Sequence, residues 1–499
     1  MPHPEIPWEK IAVFDINHGA LAIADRLSKN EINAAAFDVY QKKSPEKMTA
    51  YADSYDFSVS ADPIDLTADY DIVCLPVHLS PENEFVKKAA ELGIPTITHH
   101  EMVGRLLKSD AEIKDRYLIE ITGVRGKTST AVLLARMLSY KNRILLHTSE
   151  GLTVWENGEY EWIEQGISIT PAYIPDLVQI ALDRKIQPNV FIFEVSLGFT
   201  GAQDIGILTE AQPDYMIAGG TLTSTSAKTN MISRSKPESV FVINYRDLEI
   251  FENYIREDQE QIVFDDSGAA VEENTPTDIY LNISLGKDDE PAAEIESSRT
   301  GIFFRAELGG GYDIDSYKTA MAAAVATALE LDIPETVIAD VISNFSGVKG
   351  RMREYTENGR LIMDNSNSGL TVSAAAAALE YMQDKYLDKK STDYDSDIER
   401  TITAVIGADD KTVCEGLDPR EVKEWIFKYG KDVLNLILVG TEIKEYMKTS
   451  QDDEENKGEE MESILMRVIY AENYKDGIQK ALELTKDGGI IISAVKCFR

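Results

Sequence analysis

Short apolar runs alternate with amphipathic stretches along most of the chain. The run KIAVFDI at residues 10–16 has the length and β-branching of a buried strand, and the polar loop NHGA follows it. Next come the helix-periodic LAIADRLSKN (21–30) and a second apolar run, AAAFDVY (34–40). The pattern repeats with DIVCLPV (71–77), the helical FVKKAAELG (85–93) and IPTITHH (94–100). Strands separated by helices of this length predict parallel βαβ units, so residues 1–112 are expected to form a Rossmann-type domain. No GxGxxG occurs there, and a dinucleotide is not indicated.

A second passage, expected over residues 113–346, opens with YLIEITGVRGKTSTAVLLARMLSY (117–140), which reads as strand, glycine loop and helix. NVFIFEVS (189–196), DYMIAGG (214–220) and VFVINY (240–245) read as further strands. Residues 255–310 are polar and turn-rich, with short strands expected in DIYLNIS and GIFFRAEL. The alanine-rich YKTAMAAAVATALEL (317–331) predicts a long helix, stopped by Asp332-Ile333-Pro334. A linker is expected at GVKGR (347–351), and residues 347–499 then alternate again: RLIMDNS, TITAVIG, LNLILVG and GIIISAV are the strands of a third, Rossmann-like domain. The expected fold class is therefore α/β in three domains, with a nucleotide-binding domain in the centre.

Composition narrows the function. With 499 residues, 43% apolar and 27% charged, the chain is large enough for about three cored domains. Its 86 acidic against 50 basic residues leave a formal charge of −36, a field that repels nucleic acid and anionic membrane surfaces, so neither is an expected partner. Cys74, Cys414 and Cys497 form no CxxC pair, which excludes a disulfide scaffold or zinc ribbon on spacing. No apolar stretch approaches the roughly 20 residues of a membrane span, and no signal-peptide core precedes the first strand, so a cytoplasmic protein is expected. The run DDEENKGEEME near 452–462 reads as an exposed acidic loop. All six histidines lie at or before His147, so chemistry beyond that point runs without imidazole.

The candidate chemistry begins at Gly123, Gly126, Lys127 and Thr128, between a predicted strand and a predicted helix. Glycines let backbone amides close around phosphate oxygens, and the helix N-terminus favours negative charge. A complete GxxxxGK[ST] motif would have glycine where Ile121 stands, so the motif is partial. Lys127 is the expected neutraliser of the β and γ phosphates, and Thr128 an expected Mg²⁺ ligand. Glu194 ends the apolar strand NVFIFEVS, where a carboxylate is costly without a cation or hydrogen bonds. It is the second expected Mg²⁺ ligand, since that ion takes oxygen donors.

TGVRGKTST, then EVS, then a long alanine-rich helix, GVKGRM and LIMDNSNSG resemble, in that order, the Mur ligase family over most of the chain. The resemblance implies a substrate domain, a central ATPase and a Rossmann-like third domain. It also implies ATP-dependent conversion of a carboxylate into an acyl phosphate that a nucleophile attacks. By position it makes Gly123, Val124, Arg125, Gly126, Lys127, Thr128 and Ser129 the ATP loop, and Glu194 a magnesium ligand. It makes Arg351, Asp364 and Asn367 nucleotide contacts, and Lys228 the counterpart of a lysine that relatives carbamylate, with Lys236 close by in sequence.

The departures are informative. The family's histidine after EVS is missing, Asn367 stands where a histidine is usual, and neither a D-N-P-R signature nor a UDP-binding glycine loop is present. The segments DINHGALAIADRL, EVSLGFTGAQDIGIL and DYMIAGGTLTSTSAK resemble most the archaeal branch that forms coenzyme F430. That branch activates a propionate of a nickel tetrapyrrole and closes a ring by carbon attack. A pseudomurein peptide ligase and a P-loop regulatory module are the alternatives. A folyl-polyglutamate synthase fits less well, because a complete domain precedes the phosphate loop. His18, His78, His99 and His100 are open to a role toward propionates or metal, or to none.

Overall fold

The computed structural model describes residues 5–114, 116–268, 276–285, 290–389, 391, 393–395, 400–413, 416–449, 464 and 467–498. The acidic 452–462 run and Cys414 lie outside the described residues. The chain divides into two compact units, Met1–Leu308 with Lys318–Ser343, and Gly309–Tyr317 with Asn344–Arg499.

The first unit holds two sheets. Strands β1 (Lys10–Phe14), β2 (Asn33–Phe37), β3 (Ser58–Ser60), β4 (Ile72–Leu75) and β5 (Thr96–Thr98) run parallel in the order β3-β2-β1-β4-β5. The order reverses between β1 and β4, which opens a crevice at their C-terminal ends, the place where ligands gather in such sheets. The larger sheet has a parallel centre of β6 (Tyr117–Thr122), β7 (Ile144–Thr148), β8 (Val190–Glu194), β9 (Ile205–Leu208), β10 (Val240–Asn244) and β11 (Glu260–Asp265). Its order is β11-β10-β9-β6-β8-β7, and layers on both faces account for the continuous apolar runs of these strands.

Further strands, antiparallel except where Ile279–Leu285 joins β11 in parallel, extend both edges, where the apolar pattern predicts less. A hairpin of Gly151–Glu156 and Glu159–Glu164 pairs with β7, and Ile279–Leu285, Pro291–Ser297 and Ile302–Glu307 extend the sheet beyond β11. The hairpin was not expected because Glu159, Tyr160, Glu161 and Trp162 all face solvent and leave no apolar run. The strand expected at 214–220 shrinks to Met216–Ile217, since Ala218, Gly219 and Gly220 all take positive φ and turn the chain.

One apolar core joins both sheets of this unit: Ile23, Leu27, Val103 and Leu106 pack in one cluster with Leu145, Leu177, Phe191 and Phe193. The approach is close enough to require glycine at residue 104, where a Cβ would stand 2.0 Å from the Thr200 carbonyl oxygen. The N-terminal layer is thereby seated on the larger sheet.

The second unit is built on six strands: β12 (Arg353–Glu357), β13 (Arg360–Asp364), β14 (Ile402–Ala408), β15 (Asn435–Val439), β16 (Val468–Ala471) and β17 (Ile490–Lys496). Their order is β12-β13-β17-β14-β15-β16, parallel apart from the β12–β13 hairpin. Helices Val372–Tyr386 and Pro419–Tyr429 pack Leu379, Met382, Val422 and Ile426 onto one face.

Candidate active site

Four residues, 123–126, separate the end of β6 from helix α1 (Lys127–Leu138), and they carry the turn. Gly123 has φ +150, and a Cβ on it would fall 2.1 Å from Thr209 Oγ1; Gly126 has φ +80 and caps the helix. The loop is held from the exit of β9. Val124 N–H donates to the Glu210 carbonyl at 2.7 Å, and the Thr209 hydroxyl donates to the Arg125 carbonyl at 2.5 Å. Sequence reasoning missed this clamp, because Thr209 and Glu210 are about eighty residues from the loop and carry no motif of their own.

Strand pairing sets Glu194 level with Ile121, just before that loop. Its carboxylate, 3% exposed, accepts from the Thr128 hydroxyl at 2.9 Å and from Ser149 N–H at 3.0 Å, both at Oε2. Lys127 Nζ stands 3.9 Å from Glu194 Oε1 and donates to the Gly123 carbonyl at 3.0 Å. Ser149 was not anticipated; it follows β7, the other neighbour of β8, and the polar Thr148-Ser149-Glu150 after an apolar run was the available signal. The donor set here is oxygen from Thr128 and Glu194, which suits magnesium.

Lys228 lies in α2 (Ser224–Thr229), 1% exposed, and donates to Ser224 Oγ at 3.0 Å. Burial, and then the positive charge of Lys127, push its pKa down to about 8. Lys236 is a different case: it forms a partly exposed ion pair with Asp204 at 2.5 Å. The buried lysine sensitive to the phosphate-loop charge is Lys228.

In the second unit, Arg351, Asp364 and Asn367 meet around Gly350. Gly350 N–H donates to Asp364 Oδ2 at 2.9 Å, and Asn367 Nδ2 donates to the Gly350 carbonyl at 2.9 Å. Arg351 Nη1 donates to Asn367 Oδ1 at 2.7 Å. Asn367 thus ties the 347–351 turn and positions the guanidinium, a task that needs an amide with both a donor and an acceptor. His18, His78, His99 and His100 line one cleft of the first unit, whereas His147 is buried beside the larger sheet with Nε2 on the Ile167 carbonyl at 3.2 Å. No described helix is long and apolar enough to cross a membrane.

The family described as "Coenzyme F430 synthetase CfbE, C-terminal domain" matches residues 354–497. A protein of Methanosarcina acetivorans named coenzyme F(430) synthetase is 35% identical, over 98% of this chain and 99% of its own. Among solved structures, E. coli FolC in complex with DHPP and ADP covers 80% of this chain and 90% of its own, with a TM-score of 0.52 and 15% identity. MurF from Acinetobacter baumannii covers 86% and 88%, with a TM-score of 0.51 and 13% identity, and these two likenesses establish the Mur-ligase-like fold. With its near full-length relative, its C-terminal family match and that fold, the chain belongs to the coenzyme F430 synthetase family of ATP-dependent ligases.

Proposed function

We propose that the chain is a coenzyme F430 synthetase: it activates a propionate carboxylate of a nickel tetrapyrrole, the seco-F430 acid, with ATP and closes the last carbocycle, releasing ADP and phosphate. The observation that carries this reading is the Thr128–Glu194 pair set against the Gly123–Gly126 loop with Lys127 beside it. The near full-length relative supplies the substrate class.

In the first step a carboxylate oxygen of the substrate attacks the γ phosphorus, and ADP leaves. Loop amides between Gly123 and Thr128 hold the β phosphate, and the Lys127 ammonium draws charge from the transferring phosphoryl group. Thr128 and Glu194 are the residues that would hold Mg²⁺, which when bound neutralises phosphate charge. Arg351, Asp364 and Asn367 are the proposed nucleotide contacts of the second unit. Lys228, near half neutral at pH 8, is the proposed carbamylated lysine: its Nζ lone pair adds to CO₂ and a proton is released.

In the second step a carbon nucleophile of the same macrocycle attacks the acyl carbon, its proton is lost, and phosphate departs with one of the original carboxylate oxygens. Tethering supports an intramolecular attack without a pocket for a second substrate, since effective molarities reach about 10⁵ M or more. The test is isotopic. Seco acid labelled with ¹⁸O in the propionate should yield phosphate carrying one ¹⁸O; unlabelled phosphate would refute activation as an acyl phosphate.

A further inference from the structure

A cluster of metal-ligating groups lies away from the phosphate loop, in the crevice where the order of the N-terminal sheet reverses. Asp15 directly follows β1 and is fully buried, with a left-handed φ of 78. Its Oδ1 accepts the N–H groups of Asn17 at 3.1 Å and His18 at 3.2 Å, which leaves Oδ2 turned toward two imidazoles. His18 Nδ1 is 2.7 Å from Oδ2, and His78 Nε2, from the loop after β4, is 3.6 Å from the same atom. The three ligand atoms all lie within 4.8 Å of one another, and the two rings meet edge to face at 4.7 Å between centroids.

The 2.7 Å hydrogen bond and the 3.6 Å contact lie on either side of the spacing of donors around a single ion, so side-chain shifts of under about 1 Å would bring these atoms to coordination distances. At metal–ligand lengths of roughly 2.1 Å, neighbouring donors in tetrahedral or octahedral sites stand ~3.0–3.4 Å apart. Two further observations point to a ligand. His78 Nε2 is buried and makes no hydrogen bond. His99, 1% exposed and lining the same cleft, has Nε2 within 3.0 Å of the Phe14 carbonyl, while its buried Nδ1 has no partner. The remaining wall includes Ser168, Thr170 and Ser196, the last of them two residues beyond Glu194, so the crevice opens beside the strand end that carries the phosphate-side carboxylate.

We propose that Asp15, His18 and His78 form a coordination site for a divalent late-transition-metal centre, separate from the Thr128–Glu194 oxygen site. Two imidazoles and one carboxylate select nickel, cobalt, zinc or copper over magnesium and calcium. The centre has two possible sources, a free ion or the metal of the macrocyclic substrate. Three donors suit a free ion; a macrocycle leaves only axial positions and would take one of the two imidazoles. The macrocyclic source rests on the proposed function, and the free ion does not.

The test uses the full chain without a histidine tag, stripped with chelator and titrated with Co²⁺ in excess Mg²⁺. One equivalent should bind with visible d–d bands, and His78→Ala and His18→Ala should each weaken binding at least about tenfold. His78→Ala is decisive, because Asp15 and His18 also build the turn after β1. In a second arm the nickel seco acid is mixed with protein in the absence of ATP. A shift of its absorption band that His18→Ala or His78→Ala abolishes, without Co²⁺ binding, supports the site with the macrocycle as source. Absence of both Co²⁺ binding and a band shift, or equal affinity in wild type and variants, overturns the proposal. Because neither arm reads ligase turnover, Co²⁺ binding without ATP-dependent ring closure would sink the proposed function and leave the metal site standing.

Discussion

The Thr128 hydroxyl donates to Glu194 Oε2 at 2.9 Å, joining the first turn of α1 to the last residue of β8. Parallel pairing of β8 with β6 is what makes this possible, because it sets Glu194 beside Ile121 at the mouth of the loop. A buried carboxylate persists there through charge and hydrogen bonds from Lys127, Thr128 and Ser149.

Glu194→Gln keeps the shape and removes the charge. The Mg²⁺ concentration for half-maximal turnover should rise at least about tenfold, near 1.4 kcal/mol, with little change in metal-free nucleotide binding. A magnesium titration measures this, and an unchanged midpoint would move the metal elsewhere.

Lys127→Ala should lower kcat to less than about a tenth of wild type, a loss above about 1.4 kcal/mol in transition-state stabilisation. The thermal midpoint should hold, because the lysine head works through charge rather than packing. Single-turnover ADP release distinguishes the outcomes: near-normal rates would remove Lys127 from phosphoryl transfer.

Lys228 should react with CO₂ in a pH-dependent way. Its lowered pKa leaves a large neutral fraction near pH 8, so ¹³C-bicarbonate should give a carbamate resonance that Lys228→Ala abolishes and Lys236→Ala preserves. Formation should fall as pH drops below 8, where the amine is protonated. A signal that survives Lys228→Ala would assign the modification to another residue.

Glu120 offers a stability test outside the site. It is fully buried in β6, with Oε2 accepting Thr200 N–H at 2.7 Å and Oε1 paired with the Thr200 hydroxyl. Burial outweighs those hydrogen bonds and raises its pKa from 4.5 to about 7. Between these values the folded state keeps a proton that the unfolded state loses, so stability falls as pH rises from about 4.5 to 7. The full cost, on the order of 3 kcal/mol, remains above 7. Glu120→Gln can satisfy both Thr200 groups without charge. Denaturant melts should show a flatter pH dependence in this variant and equal or greater stability at pH 8; an unaltered slope would contradict the assignment.

The α/β alternation was legible in the sequence because the central strands are buried on both faces and read as unbroken apolar runs, as in β8 and β14. The edge strands were not: Glu159–Glu164 is exposed along most of its length, and in Pro291–Ser297 the alternation of Ala293 and Ile295 with Glu294 and Glu296 is too short and polar to make an apolar run. The loop with Lys127 and Thr128 was visible because its residues are contiguous. Thr209 and Glu210 were invisible as site residues, and Ser149 left only the weak signal of a polar run after β7, because strand order, not spacing along the chain, brings them to the loop. Asn367 was legible as a position in the LIMDNSNSG run, but its bonds to Arg351 and to the Gly350 carbonyl were not, because they depend on how the 347–351 turn folds back on β13.

The central claim is that the acyl phosphate is attacked by carbon of the same molecule. Mass spectrometry of a reaction containing only protein, Mg²⁺, ATP and the seco acid tests it most directly. The predicted result is ADP, phosphate and a tetrapyrrole lighter by one water, with rate and product mass unchanged by added amino acids. A product that forms only when an amine or amino acid is supplied, and that gains its mass, would contradict it.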